Sequence, residues 1–429
     1  MFKTFANAWR IPELRKKILF TLMIIAIFRF GSVVLTVPFV NVEQLRLLFD
    51  QFSQSGNLLG YFNVLSGGAL QNATLFSMSI TPYINASIII QLLTVAIPAL
   101  ERMQKDGGEE GKKKLAAITR YSTVGIGLLQ GFTYYVMLRN QSILTQTGFW
   151  PAVVIIISLT AGAALVMWLG ELITDHGIGN GISVLLFVGI LSRIPTMIMY
   201  MISYASQSVG YLIGMIALII VAAALVVFIV WVNDAERRIP VQYAKRMVGR
   251  KMYGGQSTNL PMKVNMAGVL PVIFASTLLM FPATIIGFLN PAEGTFWYKV
   301  GQFFSAGSWS YVILYTLLII GFGYFYSVIQ FNPVEVANNL KKNGGFVMGY
   351  RPGKPTSDYL SRILSKITFI GSIFLIIIAL LPVIVGMCTN IQGITIGGTS
   401  LLIAVGVALE LYQQLEAQIM MRHYKGFLE

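Results

Sequence analysis

Apolar residues on this chain gather into ten stretches, at about 18–37, 74–97, 116–138, 151–171, 178–194, 211–232, 266–289, 309–330, 367–388 and 397–416, with polar and charged loops between them. Most approach the ~20 residues that a helix needs to cross the hydrocarbon core of a bilayer. The pattern predicts an all-α membrane protein of ten transmembrane helices. Several stretches carry helix breakers: Pro82 near the start of the second, Pro271 and Pro282 in the seventh, and Gly397 and Gly398 at the start of the tenth. The fifth is the shortest, opened by Gly177, Gly179 and Gly181 and ended by Arg193 and Pro195. Broken or short helices belong inside a bundle, where protein or water satisfies the freed backbone groups.

The connection between the first two stretches is unlike the others. Residues 41–55 have an amphipathic pattern. Leu58–Leu70 (LLGYFNVLSGGAL) is apolar but interrupted by Ser66, Gly67 and Gly68. It is too short to span and too apolar for a solvated loop, so it reads as a segment folded back into the protein. Ten spans divide into two sets of five, and an odd number per set forces opposite orientations. The topology therefore permits an inverted repeat, with halves 1–205 and 206–429. No repeat is visible at the level of residues.

Charge sharpens the picture. Lysine and arginine crowd the N-terminus, the loop after the second span, the loops at 233–264 and 331–366, and the tail. The other side carries only Arg46, Arg139, Arg193 and Lys299, and Arg29 lies near the middle of the first span. By the positive-inside rule both termini are cytoplasmic. The net charge of +14 on 429 residues is thus in large part an orientation signal. The two long basic loops exceed what a turn needs, so they present either a docking surface or simple contact with anionic lipid headgroups. The first apolar stretch ends at Pro38 without a small-residue cleavage pattern and reads as a retained helix. One cysteine, Cys388, excludes an internal disulfide and any multi-cysteine metal site, and His176 and His423 lie outside the spans.

Two stretches carry most of the information: Ser77–Leu93 (SMSITPYINASIIIQLL) and Trp168–Leu186 (WLGELITDHGIGNGISVLL). Thr81, Asn85, Ser87 and Gln91 interrupt the first, and Asn180 and Ser183 the second. Polar groups at membrane depth must find partners, so these helices face other helices. Ordinary interhelical hydrogen bonding accounts for that much without any special function.

Both stretches resemble the signature segments of the SecY family, the pore subunits of the bacterial Sec translocon. The resemblance continues through Lys245–Met266 (KRMVGRKMYGGQSTNLPMKVNM), Gly268–Thr284 (GVLPVIFASTLLMFPAT), Tyr350–Gly353 (YRPG) and Gly397–Ile403 (GGTSLLI), and covers the chain in order. Ser79 stands where many relatives have glycine, and Leu186 where some have isoleucine. The resemblance implies two inverted five-helix halves around a central hourglass pore with a re-entrant plug. The waist would be an apolar ring of Ile80, Ile84, Ile182, Leu186, Ile273 and Ile403. Ile80/Ile84 and Ile182/Leu186 are i, i+4 pairs, each on one helix face. Such a constriction gates by dewetting. Without the resemblance all six are ordinary core residues.

The same resemblance makes Tyr61, Phe62, Asn63, Val64, Leu65, Ser66, Gly67, Gly68, Ala69 and Leu70 the plug. It places a lateral gate between the second and third helices and the seventh and eighth, with Gln91 and Asn180 as polar contacts. It makes Arg237, Arg238, Arg246, Arg250, Lys251 and Arg351 a docking site for the SecA motor and for ribosomal RNA phosphates. The partners implied are SecE, SecG, SecA, the ribosome, signal peptides, nascent polypeptides and membrane lipids, in the bacterial cytoplasmic membrane. No cofactor is implied. Gly107–Lys114 (GGEEGKKK) lacks the glycine spacing and the hydroxyl residue of a phosphate-binding loop. The competing reading is a secondary transporter, which needs ionisable groups at midplane; Arg29 is its one candidate. An intramembrane enzyme needs a catalytic dyad or metal ligands, and the sequence offers neither.

Overall fold

The computed structural model describes residues 8–54, 63, 66–105, 107–205, 209–243, 246–248, 251–253, 257–289, 294–304, 308–389 and 398–425. Each of the ten apolar stretches falls on a helix. In chain order the N-terminal part contains α1 (Pro12–Val33), α2 (Val42–Gln54), α3 (Thr81–Ala96), α4 (Pro98–Lys105), α5 (Gly108–Asn140), α6 (Phe149–His176), α7 (Gly181–Leu191) and α8 (Ile194–Ala205). The C-terminal part contains α9 (Val209–Asp234), β1 (Glu236–Tyr243), β2 (Arg246–Val248), β3 (Lys251–Tyr253), β4 (Ser257–Lys263), α10 (Leu270–Leu289), α11 (Phe296–Phe303), α12 (Trp309–Gln330), α13 (Pro333–Lys342), β5 (Gly345–Val347), α14 (Lys354–Thr389) and α15 (Gly398–Lys425).

Phe149–His176, Trp309–Lys342 and Lys354–Leu381 are each long and apolar enough to cross a membrane. Large apolar side chains stand exposed along the bundle, among them Leu22, Phe132, Ile157, Val227 and Leu317. Water would penalise such a surface, whereas hydrocarbon accepts it. The breakers act where the sequence put them. Pro82 occupies the first turn of α3, where its missing N–H costs no hydrogen bond. The chain turns by 105° between α3 and α4, at Pro98. Pro282 lies inside α10.

Helices α5 and α6 pack along each other, α3 lies on α5, and α6 leads into α7. Helix α12 lies between α10 and α14. An ion pair of 2.8 Å from Arg120 to Glu171 joins α5 to α6. One core cluster (Ile229, Val272, Leu279, Tyr315, Ile319, Ile378) belongs to the C-terminal helices. Another (Leu45, Phe49, Leu70, Tyr134, Leu138, Leu159) belongs to the N-terminal helices. Residues from both parts meet at two apolar clusters described below.

The long basic loops are not the plain loops that the charge pattern suggested. β1 pairs with β4 and β5 in an antiparallel sheet of order β4-β1-β5. Ile239, Val241, Met262 and Val347 point to one side and are buried on Leu360, Ile363, Leu364 and Ile367 of α14. Each such side chain contributes about 1.5–3 kcal/mol on leaving water. The strands were hidden because charged residues occupy their exposed faces, and because β5 joins from about a hundred residues further along the chain. β2 and β3 form a small hairpin around Val248↔Lys251.

Candidate functional site: an apolar constriction, a capping segment and a helix seam

Ile80, Ile84, Ile182, Leu186, Ile273 and Ile403 all belong to one contiguous apolar cluster. Ile80 caps the start of α3 and Ile84 lies one turn later, with the Ile84 amide donating to the Ile80 carbonyl at 3.1 Å. Ile182 and Leu186 come from α7, Ile273 from α10 and Ile403 from α15. Four helices from both parts of the chain thus converge with branched apolar side chains. Ile80, Leu186 and Ile403 are buried, and the other three are half-buried. Ser79, just before the first of them, has φ 49°, a left-handed conformation that glycine adopts more cheaply. That gives a backbone reason for the glycine expected there.

Helix α7 is short for reasons visible locally. The carbonyl oxygen of the Asn180 side chain accepts from the amides of Ile182 (3.1 Å) and Ser183 (3.4 Å), an N-cap. The sequence reading made Asn180 a polar contact of a gate. The structure places its amide group at the turn between α6 and α7, with its residue exposed. The Thr174 hydroxyl accepts from the Gly181 amide at 2.9 Å and completes that turn.

Of residues 61–70, expected to form the plug, Tyr61, Phe62, Val64 and Leu65 lie outside the described residues. Asn63 and Ser66–Leu70 are all buried. The segment folds on itself: the Gly68 amide donates to the Asn63 carbonyl (2.9 Å), and the Asn63 side chain donates to Gln71 Oε1 (2.8 Å). It is also tied to the bundle. The Tyr134 hydroxyl donates to the Leu70 carbonyl (3.0 Å) and the Ser77 hydroxyl to the Ala69 carbonyl (3.0 Å). Gly67 and Gly68 have φ of 65° and 87°. A Cβ on Gly67 would lie 3.1 Å from the Gly189 backbone of α7, so glycine is needed there for conformation and for space.

Gln91 lies on α3 where that helix faces α12. The Tyr326 hydroxyl of α12 hydrogen-bonds to Gln91 Oε1, and Gln91 Nε2 donates to Ser87 Oγ at 3.0 Å. Around this polar bridge Ile84, Ile88 and Leu92 of α3 meet Ile273 and Phe274 of α10 and Phe322 and Phe325 of α12. Phe274 and Tyr326 have ring centroids 4.9 Å apart. Sequence reasoning missed Tyr326. An aromatic residue in an apolar helix has no local mark of its partner, which is 235 residues away. Asn85, also on α3, is buried with no hydrogen-bond partner for its Oδ1 among the described residues.

Arg237 and Arg238 stand exposed on β1, and Arg238 Nε donates to Glu236 Oε1 at 2.7 Å. Arg246 is on β2 and Lys251 on β3; Arg250 lies outside the described residues. Arg351 is exposed in a braced turn. The Thr356 hydroxyl donates to its carbonyl (2.8 Å), and Tyr350 stacks on Tyr359 with centroids 4.0 Å apart. Gly349 and Gly353 on either side have φ of 84° and 102°.

Comparison with known proteins gives one answer. The SecY family model matches residues 74–412. The protein translocase subunit SecY of Streptomyces coelicolor is 45% identical over 440 residues, covering all of both chains. That of Thermotoga maritima is 43% identical over 441 residues, covering all of this chain and 98% of its own. Solved structures with the same fold include a protein-conducting channel (17% identity, TM-score 0.63). Another is the SecY channel described by the role of its plug in the closed state (18%, TM-score 0.66). Each covers 96% of both chains. A third is Sec61 in the canine ribosome–channel complex (16%, TM-score 0.60). The class is a channel-forming membrane subunit of a protein translocase, not an enzyme. The chain belongs to the SecY family.

Proposed function

We propose that this chain is the central pore of a channel that passes unfolded secretory polypeptides across the bacterial cytoplasmic membrane and releases apolar helices sideways into lipid. The observation that carries the reading is the convergence of Ile80, Ile84, Ile182, Leu186, Ile273 and Ile403 in one apolar cluster built from four helices. A waist of branched apolar groups excludes water and ions when closed, yet it has no directional bonds to break when a chain enters. Residues 61–70 seal this waist from the outer side as the plug. The halves 1–205 and 206–429 are inverted copies of one another around the pore. Both termini and the basic sheet face the cytoplasm, because the positive charge lies there.

The lateral gate is the seam of α3 and α5 against α10 and α12. Its hydrogen bond from Tyr326 to Gln91 supports that assignment, because an interhelical bond in a membrane is worth only ~0.6 kcal/mol on average and parts at low cost. Arg237, Arg238, Arg246, Arg250, Lys251 and Arg351 form the docking face for the SecA motor and for ribosomal RNA. The braced turn of Arg351 supports this, since it holds a guanidinium in water at a fixed place. SecE and SecG complete the complex. The transporter alternative loses its candidate, because Arg29 is engaged with the plug segment.

The reading is tested in vesicles that hold the chain with its SecE and SecG partners, supplied with SecA, ATP and an unfolded precursor. Protease-protected precursor is the expected result. Complexes that assemble normally yet protect none, while transporting a small solute, would replace the channel with the transporter.

A further inference from the structure

Arg29 lies near the middle of the first span, and its guanidinium is not spent on an acid: among the described residues it makes no ion pair. Instead Arg29 Nη1 donates to the Gly67 carbonyl at 3.2 Å and to Ser192 Oγ at 3.0 Å. Ser192 Oγ also approaches the Gly67 carbonyl, at 3.4 Å. One residue further, Arg193 Nη2 donates to Gln71 Oε1 at 2.9 Å, the same oxygen that Asn63 Nδ2 reaches at 2.8 Å. A Cβ on Gly68 would lie 3.3 Å from the Arg193 guanidinium carbon, so this guanidinium lies directly against the segment's backbone. Two arginines, from α1 and from the end of α7, therefore grip one buried turn from both ends. The Arg29 contact uses a backbone carbonyl within the segment, and the Arg193 contact uses the side chain of the residue directly after it, which the segment's own Asn63 also holds.

We infer that Arg29 and Arg193 form a two-point latch that holds the plug closed, an inference that rests on the reading of residues 61–70 as a plug. The chemistry makes the latch reversible. A guanidinium in this setting needs carbonyl oxygens, and an extended chain in the channel offers one every residue. As a substrate enters, Arg29 exchanges the Gly67 carbonyl for a substrate carbonyl. A half-buried cation is therefore not left without acceptors in the open state. A salt bridge to a fixed carboxylate would lack this property, because nothing in a generic substrate replaces the carboxylate.

The test is chemical accessibility of the plug in the resting, fully assembled complex. In a Cys388→Ser background, Ser66→Cys places a thiol in the buried turn. A second chain carries Thr160→Cys, buried where α5 meets α6, as a reporter of general loosening. A membrane-impermeant maleimide is added from the outer side. The parent protects both thiols. Arg29→Met and Arg193→Met each raise labelling at position 66 by about tenfold or more, the scale of a lost charge-assisted hydrogen bond, and leave position 160 protected. Arg29→Lys, which keeps the charge but not the fork, falls between. Protection at position 66 unchanged in both methionine variants overturns the latch while the plug reading stands. Labelling at both positions also overturns it, as plain destabilisation. A parent already reactive at position 66 overturns the latch and the plug reading together.

Discussion

Removing the Tyr326 hydroxyl isolates one polar contact of the proposed lateral gate. In Tyr326→Phe the ring stays, so its packing on Phe274 and Phe325 is retained. What is lost is the bond to Gln91 Oε1, while Gln91 Nε2 keeps its bond to Ser87. Interhelical hydrogen bonds in membranes average ~0.6 kcal/mol and reach ~1.7, so the closed state should lose about threefold, and at most about twentyfold, in population against the open one. Gln91→Leu should cost a similar amount, and the double variant little more than either alone, because both remove the same bond. The readout is SecA-driven translocation of a precursor with a defective signal sequence, relative to the same precursor with an intact one. Relaxed rejection in each single variant, without a further increase in the double, is expected. Strictly additive effects, or parent-level rejection in all three, would refute the seam as a gate held by this bond.

Asn180→Ala should cost about 1 kcal/mol of stability through the lost cap of α7, seen as a lower unfolding temperature, and leave signal-sequence rejection unchanged. Altered rejection at parent stability would give Asn180 a role in the gate beyond its cap. Ser79→Gly should raise the unfolding temperature, with up to about 1 kcal/mol gained by relieving the left-handed φ of 49°; a drop would show that the Ser79 side chain is needed. Arg351→Glu should preserve topology, because many other basic residues remain in the same loops, and abolish SecA-driven transport. Reversing Arg246 and Arg250 should weaken ribosome binding in a strongly salt-dependent way; binding that ignores both salt and these charges would leave them as topology markers only.

The helices were legible because hydrocarbon imposes a strong, local demand: every apolar stretch marks its own helix. The constriction residues were legible only through the resemblance, since Ile80 and Ile403 look like any core isoleucine until the chain is folded. The cap role of Asn180 was readable locally, as an asparagine just before the first turn of a helix, but the apolar context of that helix drew attention to its interior. Arg29 was noticed for its charge and its partners were not, because Gly67 lies 38 residues away and Ser192 163. The sheet of β1, β4 and β5 was missed for the same reason. Its alternation is short, and half of its buried face is supplied by α14.

Ion conductance of single resting channels in planar bilayers tests the apolar waist most directly. Ile403→Asn and Ile273→Asn each place an amide where the closed state requires a dry constriction. The account predicts a steady ion leak in both variants and a silent parent. Fully assembled variants as silent as the parent would contradict it.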